Sequence, residues 1–230
     1  MKRLCIVPAR GGSKRFPNKN VALLNDKPLI YHTLDVAVET FDRVVFTSDS
    51  DEILGVAQKH SSNIEVFKRP VHLATDTSKV IDTVNFYFNK YKNEIDQIWL
   101  CLPTCPLRTA EDIRSAQALL TKDVDGVLSI TEYGFPPALG LDKNNDNVLS
   151  DWHSSQPWQN NNSRSQDHPT VYRPNGAVYG MWRESFEKNK NFYLGKIKGH
   201  FMSREKSIDI DTALDFKIAQ ALLSEENNGL

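Results

Sequence analysis

Apolar residues in this chain fall into short unbroken runs, separated by longer stretches in which they recur with a helical period. Residues 3–8, 43–48, 65–67, 98–102, 126–131, 176–181 and 196–202 read as strands. Residues 28–39 read as a helix because Leu29, Ile30, Thr33, Leu34 and Ala37 make one stripe; residues 78–91 do the same through Ile81, Val84, Tyr87 and Phe88. Shorter helical patterns cover 53–60, 109–120 and 212–223, and Thr109 stands as a cap with Glu111 and Asp112 in the first turn. The run 98–102 is apolar on both faces, as a strand covered on both sides must be. Regular alternation of this kind predicts an α/β fold with parallel strands and helical crossovers. From about residue 133 to 168 the alternation breaks into a stretch rich in Pro, Asn, Asp and Ser that carries Trp152 and Trp158. A structureless loop of that length does not belong inside a compact domain, so it is expected to form strands that pack on a partner subunit or close over a substrate. Residues 224–230 are expected to fray.

Two places depart from this even pattern in ways that carry chemistry. The first twenty residues hold six Lys or Arg and no Asp or Glu, although the net charge of the whole chain is only −1. An apolar strand runs straight into this segment, Ile6-Val7-Pro8-Ala9-Arg10-Gly11-Gly12-Ser13-Lys14-Arg15-Phe16-Pro17-Asn18-Lys19-Asn20. Gly11 and Gly12 let backbone amides turn inward beside Arg10, Lys14 and Lys19. Ligands of open α/β sheets bind just beyond the carboxyl ends of such strands, so the loop reads as a socket for a polyphosphate. The bland reading is a solvated basic surface. The spacing is neither G-x-x-x-x-G-K-[ST] nor G-x-G-x-x-G, which excludes both common phosphate fingerprints.

Near the other end, Ser207-Ile208-Asp209-Ile210-Asp211-Thr212 sets two carboxylates at i and i+2. On a strand they share a face, with Ile208 and Ile210 opposite. Side-by-side carboxylates repel unless a cation lies between them, and magnesium suits one or two carboxylates completed by water and phosphate oxygens. Alternatively Asp211 caps the last helix, which leaves Asp209 unexplained. Cationic loop and carboxylates together point to a nucleotide-using transferase.

The remaining composition narrows the classes. Hydrophobic residues make up 40% of the chain, mean hydropathy is −0.47, and no long uncharged run can span a bilayer. The start has too short an apolar core for a secretory signal, so a cytoplasmic location is expected. Cys5, Cys101 and Cys105 lack metal-ligand spacing and read as reduced packing residues; the six histidines are scattered. Near-neutral charge argues against a nucleic-acid partner.

Five motifs then carry a resemblance over nearly the whole chain. They are Pro8-Ala9-Arg10-Gly11-Gly12-Ser13-Lys14 with Lys19-Asn20; Arg69-Pro70 with Leu73-Ala74 and Asp76-Thr77; Pro103-Thr104 with Pro106-Leu107-Arg108; Tyr172 to Tyr179; and Ser207 to Thr212. In this order they resemble the acylneuraminate cytidylyltransferases, or CMP-sialic acid synthetases. The resemblance implies a Rossmann-like, mostly parallel sheet flanked by helices, of the nucleotide-sugar transferase type, in a single domain over residues 1–230. The 133–168 excursion would serve for dimerisation or as a substrate lid, in a homodimer.

It also implies that CTP reacts with a nonulosonic sugar acid, the anomeric hydroxyl attacking the α-phosphorus to give a CMP-sugar and pyrophosphate. By the same resemblance Ala9, Arg10, Gly11, Lys14, Lys19, Asn20, Arg69 and Ser78 would hold the nucleotide. Arg10, Lys19 and Asp211 would be catalytic, with Asp211 accepting the sugar hydroxyl proton, and Asp209 and Asp211 would bind Mg2+. Thr104, Arg164, Asn175, Tyr179, Phe192 and Tyr193 would meet the sugar, although Phe192 and Tyr193 read equally as core. Leu102 stands where the family commonly has Gln, and Val80 where relatives often carry a hydroxyl. Loss of that amide removes a hydrogen bond to sugar, so a modified acid of the legionaminic type is expected. The alternatives are a cytidylyltransferase for another ulosonic acid, such as an eight-carbon Kdo-type sugar, and a non-catalytic nucleotide-binding protein of the same fold.

Overall fold

The computed structural model describes residues 1–13, 15–75 and 77–227, the last three of these by backbone alone. The chain begins with β1 (Arg3–Ala9), then a small antiparallel pair, β2 (Leu23–Leu24) and β3 (Lys27–Pro28). There follow α1 (Leu29–Thr40), β4 (Arg43–Ser48), α2 (Asp51–Gln58), β5 (Ile64–Lys68), α3 (Val80–Tyr91), β6 (Gln97–Leu100), α4 (Ala110–Leu119) and β7 (Gly126–Glu132). After the hairpin β8 (Leu141–Lys143) and β9 (Leu149–Asp151) come β10 (Tyr172–Trp182), α5 (Arg183–Asn189), β11 (Ile197–Phe201) and α6 (Ala213–Asn227).

Seven strands form one sheet in the order β11-β7-β10-β6-β1-β4-β5. The pairs β1–β4, β1–β6, β4–β5 and β7–β11 are parallel, whereas β10 runs antiparallel to both β6 and β7. The expected parallel alternation thus holds except at β10, which follows the excursion instead of a crossover helix and so enters the sheet from the opposite end. Its first residues, around Tyr172, lie beside the carboxyl ends of the parallel strands.

Both faces of the sheet are covered. One core collects Cys5, Val7, Phe46, Trp99, Ile113 and Val178; the other collects Leu4, Ile6, Tyr87, Phe88, Ile98 and Phe186. Alternate residues of β1 and β6 feed opposite cores, which is why their sequences are apolar throughout. Each such large side chain contributes about 1.5–3 kcal/mol on burial. Gly180 lets β10 cross the Trp99 indole: a Cβ there would stand 2.3 Å from Cζ3.

Two local expectations are corrected. Residues 208–211 are an extended coil rather than a strand, because the segment pairs with no neighbour as a ladder and is held by single hydrogen bonds. The final helix runs to Asn227 rather than ending at Leu223, and residues 228–230, also expected to fray, lie outside the described residues. The excursion does form strands, but only the short hairpin β8–β9, with Trp152 59% and Trp158 42% exposed beside it.

Candidate active site

Strand β1 delivers Ala9 and Arg10 to the carboxyl edge of the sheet, where the chain leaves regular structure. The Arg10 carbonyl accepts from Asn20 Nδ2 at 2.8 Å, closing the loop's two ends on each other. The Gly11 amide donates to Asp49 Oδ1 at 2.9 Å, just past the end of β4. A Cβ on Gly11 would lie 2.9 Å from Ser50 Cβ, so only glycine allows that approach. Lys14 lies outside the described residues. Lys19 is 7% exposed; its Nζ donates to the Ile210 carbonyl at 2.5 Å and meets Asp211 Oδ1 at 3.3 Å. Arg15, on the surface, reaches the other Asp211 oxygen at 2.7 Å. The two ends of the chain that looked chemical in the sequence are therefore joined through Lys19.

Two guanidinium groups are buried near the carboxyl ends of the parallel strands. Arg69 donates from Nη2 to the Ala9 and Thr47 carbonyls at 3.1 and 2.9 Å, while its Nε has no partner. Burial disfavours its charge, as does nearby Arg10, so its pKa is lowered; Asp49 works the other way. Arg108 is 2% exposed. Its Nη1 donates to Thr33 Oγ1 at 2.9 Å, its Nη2 to the Leu102 carbonyl, and its Nε to nothing. Among the described residues neither guanidinium forms a salt bridge with a carboxylate, and the buried Asn20 Oδ1 at the foot of the loop also lacks a partner.

Asp209 and Asp211 come to the same cleft. The Ile210 amide donates to the Thr104 carbonyl at 2.7 Å and fixes the segment between the two acids. Asp209 touches solvent, yet the protein around its carboxyl displaces enough water to raise its pKa, and the charge of Asp211 adds to this. A hydrogen bond from Thr104, with Lys19 and Arg173 nearby, partly offsets the shift. The helix cap falls elsewhere: Thr212 Oγ1 accepts from the Asp215 amide at 3.3 Å, and Asp215 Oδ2 accepts from the Thr212 amide at 2.7 Å. Asp211 is thus not required for capping.

On the far side of Asp209, Tyr179 is buried with its ring 5.8 Å from Phe192 and 6.1 Å from Tyr193. Burial, then the Tyr193 hydrogen bond, pushes its hydroxyl pKa up. Leu102 packs against the core cluster that holds Tyr179 and Phe192. Phe192 is itself buried against Phe186, whereas Tyr193 is exposed. Thr104, Tyr179 and Tyr193 are brought to the cleft.

Three other expected residues are occupied elsewhere. Arg164 sits on the exposed excursion with Asp167 at 3.6 Å. The Ser78 hydroxyl stays within its own loop, donating to the His72 carbonyl at 3.0 Å. Asn175 is buried and directed into the protein. Sequence reasoning missed Arg15, Asp49, Arg108 and Arg173. Asp49 follows β4 in a polar cluster at the same sheet edge as Arg10, which is the one signal that could have found it.

A cationic loop that rests on the buried Arg69 and is tied through Lys19 to Asp211 marks this cleft as the candidate nucleotidyltransferase site of the α/β sheet. The chain belongs to the cytidylyltransferase family, whose model matches residues 4–223. It is 31% identical over 221 residues to an N-acylneuraminate cytidylyltransferase of Streptococcus agalactiae serotype V, a match covering 94% of this chain and 52% of that protein. It is 32% identical over 238 residues to the CMP-N,N'-diacetyllegionaminic acid synthase of Legionella pneumophila, and both chains are covered in full. The chain therefore spans about half the length of the Streptococcus relative. Among solved structures it superposes on a CMP:2-keto-3-deoxy-manno-octonic acid synthetase complexed with CTP at a TM-score of 0.72 and 16% identity, covering 98% of this chain and 100% of the other, a likeness of fold.

Proposed function

We propose that the protein joins CTP to a nonulosonic, sialic-acid-like sugar acid, forming a CMP-sugar and releasing pyrophosphate. The observation that carries this is Lys19, which ties the cationic loop to the Ile210 carbonyl and Asp211. In the reaction the anomeric oxygen bonds to the α-phosphorus, the bond from that phosphorus to the bridging oxygen breaks, and the hydroxyl proton passes to a carboxylate. Arg10 and Lys19 stand where charge grows on the leaving pyrophosphate. Asp211 is the proposed proton acceptor. A carboxylate with an ordinary pKa near ~4 is a weak base at neutral pH, so positioning supplies most of the effect.

Asp209 and Asp211 suit a hard, oxygen-seeking ion: two carboxylates share one cleft, and one of them already draws Arg15 and Lys19 as counter-cations. We assign Mg2+ to this pair; when bound it would neutralise phosphate charge. The sugar acid is proposed to be a modified one, because apolar Leu102 lies against the Tyr179 cluster where an amide would grip a polar substituent. A homodimer through the excursion is supported by the exposed Tyr133, Phe135, Val148, Leu149, Trp152 and Trp158. A cytoplasmic location is supported by three unpaired, buried cysteines. Among the described residues no helix is long and apolar enough to cross a membrane.

The test is pyrophosphate release, with mass spectrometry of products, from CTP, Mg2+ and a panel of nonulosonic acids and eight-carbon ulosonic acids. A CMP-linked nonulosonate, formed fastest from a diacetamido-deoxy acid, is expected. Best turnover of N-acetylneuraminate would overturn the specificity, and product only from eight-carbon acids would overturn the substrate class.

A further inference from the structure

Every hydrogen-bonding valence of the Asn175 amide is used inside the protein. Its Oδ1 accepts from Ser129 Oγ at 2.5 Å and from the Ala177 amide at 3.1 Å. Its Nδ2 donates to Ser207 Oγ at 2.9 Å and to Met202 Sδ at 3.3 Å. A primary amide has two donor hydrogens and two acceptor lone pairs, so nothing remains for a substrate. The side chain is 2% exposed, so a ligand has little access to it.

The partners say what this arrangement does. Ser129, on β7, also accepts from the Val178 amide at 2.7 Å, so one hydroxyl pins the irregular part of β10 between Pro174 and Tyr179. Gly176, inside that irregularity, has φ +83 and lets the chain turn there. Ser207, the next group along, is buried and donates to the Ser203 carbonyl at 2.7 Å. It stands two residues before Asp209, at the point where the chain enters the extended segment bearing both acids. The Asn175 carbonyl is held as well, by the Cys105 thiol at 3.2 Å; Cys105 follows Thr104, whose own carbonyl anchors Ile210. Burial pushes that thiol's pKa up to about 12, so it remains a donor. The start of the acid-bearing segment at Ser207 and its middle at Ile210 are therefore both referred back to one asparagine.

We propose that Asn175, Ser129 and Ser207 form a buried polar strut that positions Asp209 and Asp211, and that Asn175 acts through Ser207 rather than on the sugar. The proposal deepens the cytidylyltransferase reading and rests on it for the kinetic test alone. Fully satisfied buried networks rigidify what they hold, and a partly satisfied one is costly.

The variants Asn175→Ala, Ser129→Ala and Ser207→Ala are compared with the parent protein at a temperature where circular dichroism shows all four folded. Kinetically, each should lower kcat by about tenfold or more while leaving KM for the sugar acid and for CTP within about twofold, since misplacement of reacting groups costs rate rather than binding. The Asn175→Ala/Ser207→Ala double variant should lose no more than either single one. Independently of activity, hydrogen–deuterium exchange over residues 203–211 should rise in all three variants. A tenfold rise in sugar KM confined to Asn175→Ala, with the two serine variants unchanged, would overturn the proposal in favour of direct contact. Unchanged exchange over 203–211 would overturn it even if no sugar acid proved to be a substrate.

Discussion

The two edges of the sheet are built from the same kinds of residue to opposite effect. At the amino-terminal edge a cavity of about 700 Å³ is lined by Asp96, Asp123, Asp125, Trp182, Arg183 and Ser185, among others. Several of its polar groups are already paired: Asp123 with Lys196 at 2.8 Å, Arg183 with Glu184 at 2.9 Å, and Asp125 with the Ser185 hydroxyl at 2.7 Å. At the carboxyl edge, Arg69 and Arg108 are buried on carbonyls and a hydroxyl, and each keeps an unpartnered Nε. A buried cation costs free energy, which Asp49 offsets only in part for Arg69 and which an arriving polyanion would offset further. Unspent charge and hydrogen-bonding capacity, more than concavity, mark the edge proposed to bind.

The largest test of that contrast is Lys19→Ala. Removing the cation that meets Asp211 should cut pyrophosphate release by about 10²-fold or more, on the scale of losing a charge-stabilising donor. Asp123→Ala at the opposite edge should leave turnover unchanged; comparable losses in both would erase the distinction.

Arg69→Met comes next. It keeps much of the buried stem and removes the charge, so CTP affinity measured by calorimetry should fall by about tenfold, equivalent to about 1.4 kcal/mol. Thermal stability should change little, because the desolvation cost of a buried charge is lost along with its hydrogen bonds. Unaltered CTP affinity would show that Arg69 serves packing alone.

The pH dependence sharpens the contrast further. The pKa of Asp209 is raised in the folded protein, first by desolvation. Below the unfolded value, near ~4, both states hold the proton and nothing is lost. As pH climbs through the higher folded value, the native state loses stability. Asp209→Asn should therefore raise Tm slightly at about pH 7 and not at about pH 3, while abolishing activity. A lower Tm at neutral pH would contradict the strained-acid account.

The smallest effect separates cap from chemistry. Thr212→Ala should cost about 1 kcal/mol in urea unfolding through loss of the α6 cap, with kcat preserved. A fall in kcat matching that of Asp211→Asn would tie the cap to catalysis.

How much of this was legible in the chain depends on what kind of information each feature uses. Strands β1, β4 and β6 are unbroken apolar runs, and α1 and α3 carry clean stripes, so pattern sufficed. The helix α5 was invisible because Arg183–Asn189 offers one buried apolar residue, Phe186. Strand direction is not encoded in alternation, so β10 read like any other strand. Asp209 and Asp211 were found by spacing, but Ile208 and Ile210 alternate identically in a strand and in an extended coil pinned by Thr104. Asn175 shows the limit most clearly. It was expected to meet the sugar, and only three-dimensional accounting reveals that its polar atoms point inward.

The antiparallel strand β10 in the seven-stranded sheet has a consequence for biosynthesis. Until β10, beginning at Tyr172, has emerged from the ribosome, the half-sheet β5-β4-β1-β6 is left with β6 as an open edge. That edge, Gln97–Leu100, is buried along its length in the finished protein and carries no lysine or proline to discourage pairing with a neighbouring chain. Nascent chains released early, or crowded on one message, would be expected to associate through it, so the yield of soluble protein should be more sensitive to truncation before residue 182 than to loss of α6.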